Sequence, residues 1–378
     1  MRRTSDHNQI THATLPAVRR FCPTPRQPDP TPALSTIPAI SVLMHCPAAA
    51  PLPDTEQPRT EQPPSEQPPS GAGSSCRWGL AGAVASLLRA GEGIAWELVA
   101  VIEEREPLLE TLADQLPKGQ VQVLTADRDE SGKVTPAMAR NQAMAHCRAP
   151  VLAVLDAGQR CRPKRLTLPL QLLDQHADLD LAWGGWSVGS VSHQPWLDLA
   201  GFEAAYLLRA PQLLAGGLTV RRSCAEHYGG FCSKLPAWSG VDLALRLVDG
   251  GGVAAWIGQP LLQCRPAPHQ QPWPVNAMAD GLLELLRIHS EGIRPEQLVE
   301  LRFAAMAWCA ALAWLQRQPD EAHRCWQRAT LGAPLPAPRA AMQTLQQFNR
   351  SMHWCGHDQE PTELLNSQSW QTFQTLGR

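Results

Sequence analysis

The sequence predicts an α/β protein built on a mostly parallel sheet flanked by helices, with a helical C-terminal region. Three observations carry this. Strand-like and helix-like runs alternate from Ile40 to His269. The strand-like runs are short, apolar and rich in β-branched residues. Past His269 strand-like runs cease and helical periodicity takes over.

Ile40–Met44, ISVLM, reads as a buried first strand. Apolar residues recur at helical spacing over Trp78–Ala90. Trp96–Ile102 is a second strand, Pro107–Leu116 a helix and Val121–Thr125 a third strand. Val134–Cys147 is a helix that opens beside a proline, and Val151–Leu155 is a fourth strand. This order implies right-handed crossovers between parallel neighbours. Lys164–His176 continues as helix, Leu179–Gly184 as strand, Leu197–Leu208 with helical character and Leu218–Arg221 as strand. Asp242–Val248 is helical, and Gly250, Gly251 and Gly252 after it suit a left-handed cap. Val253–Ile257 is the last strand. Ala277–Ile288, Pro295–Gln316 and Asp320–Leu331 are helices, and Arg339–Phe348 adds a shorter one.

Composition sets the domain plan. Residues 1–38 are polar and proline-rich and read as a disordered tail. The sheet domain spans 39–269, with a proline-rich low-complexity insert at 51–75 in which Glu-Gln-Pro recurs at Glu56, Glu61 and Glu66. Such a segment favours extended conformations and reads as a tether or exposed loop. A helical region follows at 270–350 and a loose tail at 351–378. The net charge of -2 offers no electrostatic argument for nucleic acid or an acidic membrane as partner. Eleven cysteines without a C-x-x-C pair fit reduced thiols in a cytoplasm. No apolar run reaches the roughly 18 residues that would suggest a transmembrane segment. The longest candidate, Phe303–Leu315, reads as a buried helix, and the N-terminus lacks the apolar core of a secretory signal.

The densest information lies in Thr135–Leu166, TPAMARNQAMAHCRAPVLAVLDAGQRCRPKRL. Asp156 ends an apolar strand, where open α/β sheets place ligands. Ala139, Arg140 and Asn141 stand on the helix before it; Leu155, Asp156, Pro163 and Leu166 surround the strand end. Leu218–Arg222, then Gly229, Gly230 and Phe231, form a strand and a Gly-Gly-Phe turn; Gln259, Pro260, Leu261, Leu262 and Arg265 close the domain. These pieces in this order resemble the family 2 glycosyltransferases. Those enzymes carry an Ala-Arg-Asn helix and a Leu-Asp-x-Asp-Asp-x-x-x-Pro-x-x-Leu strand end. Here Gly158 and Gln159 replace the later two acids, and His269 follows Arg265 at a stretched spacing. The resemblance covers Ile40 to His269, the insert excluded.

The resemblance implies a GT-A type fold, that of the nucleotide-diphospho-sugar transferases. It also implies transfer of a sugar from a nucleotide-diphosphate donor to an acceptor, whether glycan, lipid or protein. Where the family shows Asp-Asp-Gly-Ser after the second strand, this chain has Glu103, Glu104, Arg105 and Glu106. Glu103 or Glu104 is then the acceptor for nucleoside hydroxyls, or the run is a solvated loop. Arg140 and Asn141 join the nucleotide-sugar site. Asp156 touches the diphosphate or a divalent cation, magnesium or manganese, which takes oxygen ligands. Arg160, Arg162, Lys164 and Arg165 either neutralise phosphate or begin the next helix in solvent. At the base position the family pattern Glu-Asp-x-Asp-Leu-x-x-Arg becomes Ser239, Gly240, Val241, Asp242, Leu243, Ala244, Leu245, Arg246. Asp242 is a catalytic base or a helix cap.

Two functional readings stay open. One is an active glycosyltransferase. The other is a catalytically impaired GT-A protein that binds a nucleotide-sugar, a glycan or a partner protein. A scaffold that offers the proline-rich insert to an aromatic groove is a third. Trp183, Trp186 and Trp238 either stack on a sugar or base or pack in the core. His323 with Cys325, and His353 with Cys355 and His357, have ligand types zinc accepts but no zinc-site spacing.

Overall fold

The computed structural model describes residues 19–21, 37–47, 74–157, 159–188, 191–193, 217–235, 238–264, 275–291, 293–315 and 318–330. Residues 51–73 of the insert, the region 194–216, Arg265, His269 and everything past Thr330 lie outside the described residues, while Ser74 and Ser75, at the insert's end, begin the first helix. Among the described residues, ten strands form one sheet: β1 (Arg19–Phe21), β2 (Ile40–Cys46), β3 (Trp96–Ile102), β4 (Val121–Thr125), β5 (Val151–Val154), β6 (Gln159–Cys161), β7 (Leu181–Val188), β8 (Val191–His193), β9 (Thr219–Arg221) and β10 (Ala254–Cys264). The helices are α1 (Ser74–Ala90), α2 (Pro107–Gln115), α3 (Pro136–His146), α4 (Thr167–Gln175), α5 (Arg222–His227), α6 (Ser239–Asp249), α7 (Val275–Ile288), α8 (Pro295–Leu315) and α9 (Pro319–Thr330).

The strand order is β1-β10-β7-β9-β5-β2-β3-β4, with β6 on β10 and β8 on β7. β4, β3, β2 and β5 run parallel, as the alternating pattern predicts. β9 is antiparallel to both its neighbours, and β7 and β10 are parallel to each other beyond it. The mixed α/β architecture, with a helical region after the sheet, agrees with the sequence expectation. β2 and β3 are buried at every residue, which is why their sequences read as continuous apolar runs rather than alternating ones.

Three short strands escape the sequence reading. β1 falls inside the segment expected as a tail; its three residues pair in parallel with β10. β6 and β8 are equally short and pair antiparallel with longer strands. Three residues carry no period of their own; the partner edge makes such a strand. β10 extends to Cys264, past the predicted Ile257, through register shifts at Pro260, a residue without a backbone donor.

The helix ends follow local chemistry. Thr135 caps α3, its hydroxyl accepting from the Met138 backbone N–H at 3.2 Å, with Pro136 in the first turn. After α6, Gly252 N–H bonds Leu247 O at 2.9 Å and Gly251 N–H bonds Val248 O at 3.0 Å, with φ +88° at Gly251. This is the paired Schellman closure that the glycine run predicts.

At the amino ends of β2 and β3, Glu97 is fully buried. It accepts from Ser41 Oγ at 2.6 Å, the Arg148 backbone N–H at 2.6 Å and Arg148 Nε at 2.7 Å. Burial pushes its carboxyl up, but these hydrogen bonds prevail and hold it below the ordinary glutamate value. Glu97→Ala leaves the Ser41 hydroxyl and the Arg148 amide unsatisfied inside the fold. The expected cost is about 3 kcal/mol in urea unfolding; a loss below about 0.5 kcal/mol, the scale of an exposed surface change, contradicts the assignment. Among the described residues, no helix is long and apolar enough to cross a membrane.

Candidate functional site

β2 has β3 on one side and β5 on the other. The connections therefore leave β2 in opposite directions across the sheet, and its carboxyl end is a topological switch point. Open α/β sheets bind ligands in the crevice outside such ends. This edge collects His45 and Cys46 from β2, Glu103 and Glu104 after β3, and Asp156 after β5.

Two hydrogen-bonded couples stand there, the first of them an ion pair. Arg140, on α3, donates from Nη2 to Asp156 Oδ1 at 2.7 Å. Its Nη1 reaches Ser239 Oγ at 3.3 Å, and the guanidinium lies 5.7 Å from the Phe231 ring centroid. The Arg140 side chain is 6% exposed and Asp156 31%, so the carboxylate is the member that faces outward. The second couple is His45 and Glu103, with Nε2 at 2.9 Å from Oε1. A carboxylate only accepts, so the imidazole N–H donates. Burial draws the His45 pKa below its ordinary value against the opposing pull of Glu103. Glu104 and Arg105 are exposed; Arg105 pairs with Glu110 at 2.9 Å rather than with the crevice.

The motif residues lock one another. α5 ends in a second Schellman closure: Gly230 N–H bonds Ala225 O at 2.7 Å and Gly229 N–H bonds Glu226 O at 2.9 Å, with positive φ at both glycines. A Cβ on Gly230 would lie 2.6 Å from Asn141 Oδ1, so only glycine lets this turn approach α3. Asn141 then grips the turn with its whole amide: Nδ2 donates to Phe231 O at 2.7 Å, and Oδ1 accepts from Phe231 N–H at 2.8 Å. Arg246 holds the same turn through Gly230 O at 2.6 Å and the Tyr228 carbonyl. Asn141 thus positions Phe231 beneath Arg140.

Asp242 does not cap α6. The cap residue is Trp238, with φ +68°, a left-handed backbone uncommon for a bulky residue. Burial and an indole bond to Met278 O at 3.1 Å keep Trp238 there. Asp242 lies a turn further in, 1% exposed, with Oδ2 on Arg246 at 2.7 Å and Oδ1 on His289 Nε2 at 3.0 Å. His289 follows α7 and was not singled out in the sequence; its nearest signal is a histidine directly after a helical run. Burial pulls His289 down, but Asp242 and Asp249 outweigh it and raise its pKa. Burial likewise raises Asp242, yet His289 and Arg246 hold it below the ordinary aspartate value.

Two members of the basic run after Asp156, Arg162 and Arg165, are bonded within the fold, and Arg160 is half-buried. Arg165 is fully buried, bonding Thr219 Oγ1 at 2.7 Å, Leu218 O at 2.9 Å and Val154 O at 3.1 Å. It staples β5 to β9 and is neither solvated nor open to phosphate. Arg162 bonds Ser187 Oγ at 3.0 Å, and Lys164 is exposed. Gln159, at the position of a missing acid, turns back to accept the Asp156 backbone N–H at 3.2 Å; Gly158 lies outside the described residues. Trp183 is fully buried, 5.9 Å from Trp256, and Trp238 is 3% exposed, so both belong to the core. The side chain of Trp186 lies outside the described residues. Burial pushes the Cys46 thiol up to about 12, so it carries no thiolate chemistry near neutral pH.

Among the described residues no group of three His, Cys, Asp or Glu side chains could hold a metal ion. Asp156 is the one carboxylate at the expected cation position, and Arg140 already occupies one of its oxygens. This donor set does not fit a divalent cation held by the protein alone.

Among solved structures, the chain is similar to S. aureus TarS 1-349 in complex with UDP-GlcNAc: TM-score 0.46, 9% identity, covering 85% of this chain and 93% of that one. It is also similar to the mannosyltransferase PcManGT from Pyrobaculum calidifontis in complex with GDP-Man and Mn2+: TM-score 0.46, 15% identity, covering 93% and 88%. A third is S. aureus TarS 1-349 in complex with UDP, with TM-score 0.43 and 10% identity over 82% and 91%. No protein-family model and no curated protein sequence matches the chain.

Proposed function

We propose that the crevice at the carboxyl ends of β2, β3 and β5 binds a nucleotide-diphosphate sugar and that the chain is glycosyltransferase-like, of the family 2 type. The observation that supports this is the meeting of the Arg140–Asp156 and His45–Glu103 couples at the switch point. Glu103 keeps its second oxygen for nucleoside hydroxyls, with Glu104 beside it in solvent. Asp156 keeps its second oxygen for a donor hydroxyl. Arg140 holds Asp156 in place, and Asn141 fixes the turn below it. The acceptor is a glycan, a lipid or a protein. Cys46, Cys147, Cys161, Cys224, Cys232, Cys309 and Cys325 are free thiols, which suits a cytoplasmic setting.

One observation favours the catalytically impaired form. Both Asp242 oxygens are bonded and the residue is 1% exposed, so as placed it does not reach an acceptor hydroxyl.

Calorimetry with UDP-GlcNAc, GDP-mannose and other uridine and guanosine diphosphate-sugars, with and without Mn2+, tests the proposal. The expected result is saturable binding of one donor, weakened about tenfold by Asp156→Ala. Release of nucleoside diphosphate marks turnover, and binding without release selects the impaired form. Absence of heat with every donor overturns the proposal.

A further inference from the structure

We propose that His45 is a positioning residue: it fixes the Glu103 carboxylate so that the free oxygen meets the ribose hydroxyls of a bound nucleoside diphosphate. This rests on the nucleotide-sugar reading above. His45 interrupts an otherwise apolar strand end: Val42, Leu43 and Met44 before it are each at most 1% exposed. A polar ring in such a place costs stability unless it is hydrogen-bonded, and its one side-chain partner is Glu103, at 2.9 Å.

The backbone prepares the contact. Glu103 N–H bonds Cys46 O at 3.1 Å, so the residue after β3 is tied to the end of β2. What the backbone leaves free is the long glutamate side chain, which has one torsion more than aspartate. An acceptor that must find its rotamer on binding loses affinity to ordering, and a pre-formed bond to His45 removes that loss. An ionised carboxylate has two oxygens and about four lone-pair sites, so one bonded oxygen leaves the other to accept from a vicinal diol. The charged groups facing the imidazole are Glu103 from the end of β3, Asp156 from the end of β5 and Arg140 from α3. His45 therefore sits between the nucleoside carboxylate and the couple assigned to the sugar side.

The test is calorimetric binding of UDP and GDP, and of their 2',3'-dideoxy counterparts, to the full chain and to His45→Leu, His45→Gln and Glu103→Gln. His45→Leu is expected to weaken the ribonucleotide about tenfold and to leave the dideoxy compound within about twofold. His45→Gln restores an N–H donor and recovers most of the loss. Glu103→Gln, isosteric and at a partly exposed position, reproduces the hydroxyl-selective weakening even if His45→Leu folds poorly. Equal losses for both nucleotides, or none, overturn the inference while the nucleotide reading stands. Failure of the unaltered chain to bind either ribonucleotide overturns both.

Discussion

Asp242→Ala should lower the unfolding free energy by about 3–5 kcal/mol, the range for breaking a buried pair by removing one partner. The carboxylate is 1% exposed, and its removal strands the buried His289 imidazole and loosens Arg246 from the turn at Gly230. The effect depends on pH with a defined sign. His289 has its pKa raised above the ordinary 6.5, so its contribution is complete below 6.5 and is lost as pH rises through the folded value. Asp242 has its pKa depressed below 3.8, so its contribution is complete above 3.8 and is lost as pH falls through the folded value. The difference between the unaltered chain and Asp242→Ala is therefore widest between 3.8 and 6.5. Urea midpoints across this range measure it. A difference under about 1 kcal/mol, the scale of an exposed ion pair, would show that the pair does not bear on folding.

If the proposed nucleotide-sugar site is correct, Gly240→Asp should raise nucleoside diphosphate release from a bound donor by about 100-fold, the scale of a placed general base. Gly240 stands where the family pattern has an acid, next to Ser239, whose hydroxyl takes Arg140 Nη1. A Cβ built there meets nothing within 4 Å. The residue is buried in the first turn of α6, where the helix dipole favours a negative charge and partly offsets the cost of burying it. The substitution thus adds a carboxylate without crowding the described core. Gly240→Asn has the same shape without basicity and is the control. Equal rates for the two variants would remove the general-base reading of this position.

Much of this fold was legible because its strands are mostly apolar and its helix ends carry Thr, Pro and Gly where backbone geometry needs them. Trp96–Ile102 and Val121–Thr125 were readable to the residue for that reason. Of the candidate site, Asp156 and Glu103 stood out at strand ends and Arg140 through the family resemblance, and the structure brings the three to one sheet edge. His45 and His289 did not stand out. Each gains its meaning from a partner more than 40 positions away, a relation that neither period nor local spacing records. Arg165 misled for a related reason: a basic run looks solvated in one dimension, and only the β5–β9 junction shows three carbonyl and hydroxyl acceptors around that guanidinium. Asp242 looked like a cap because the helix was read as starting three residues late.

The bonds from Trp238 to Met278 and from Asp242 to His289 bear on how the polypeptide can be divided. A fragment ended at residue 269 would lose both acceptor and donor and leave the buried Trp238 indole and Asp242 carboxylate without these partners. Expression trials that trim the trailing helices should accordingly yield a destabilised product.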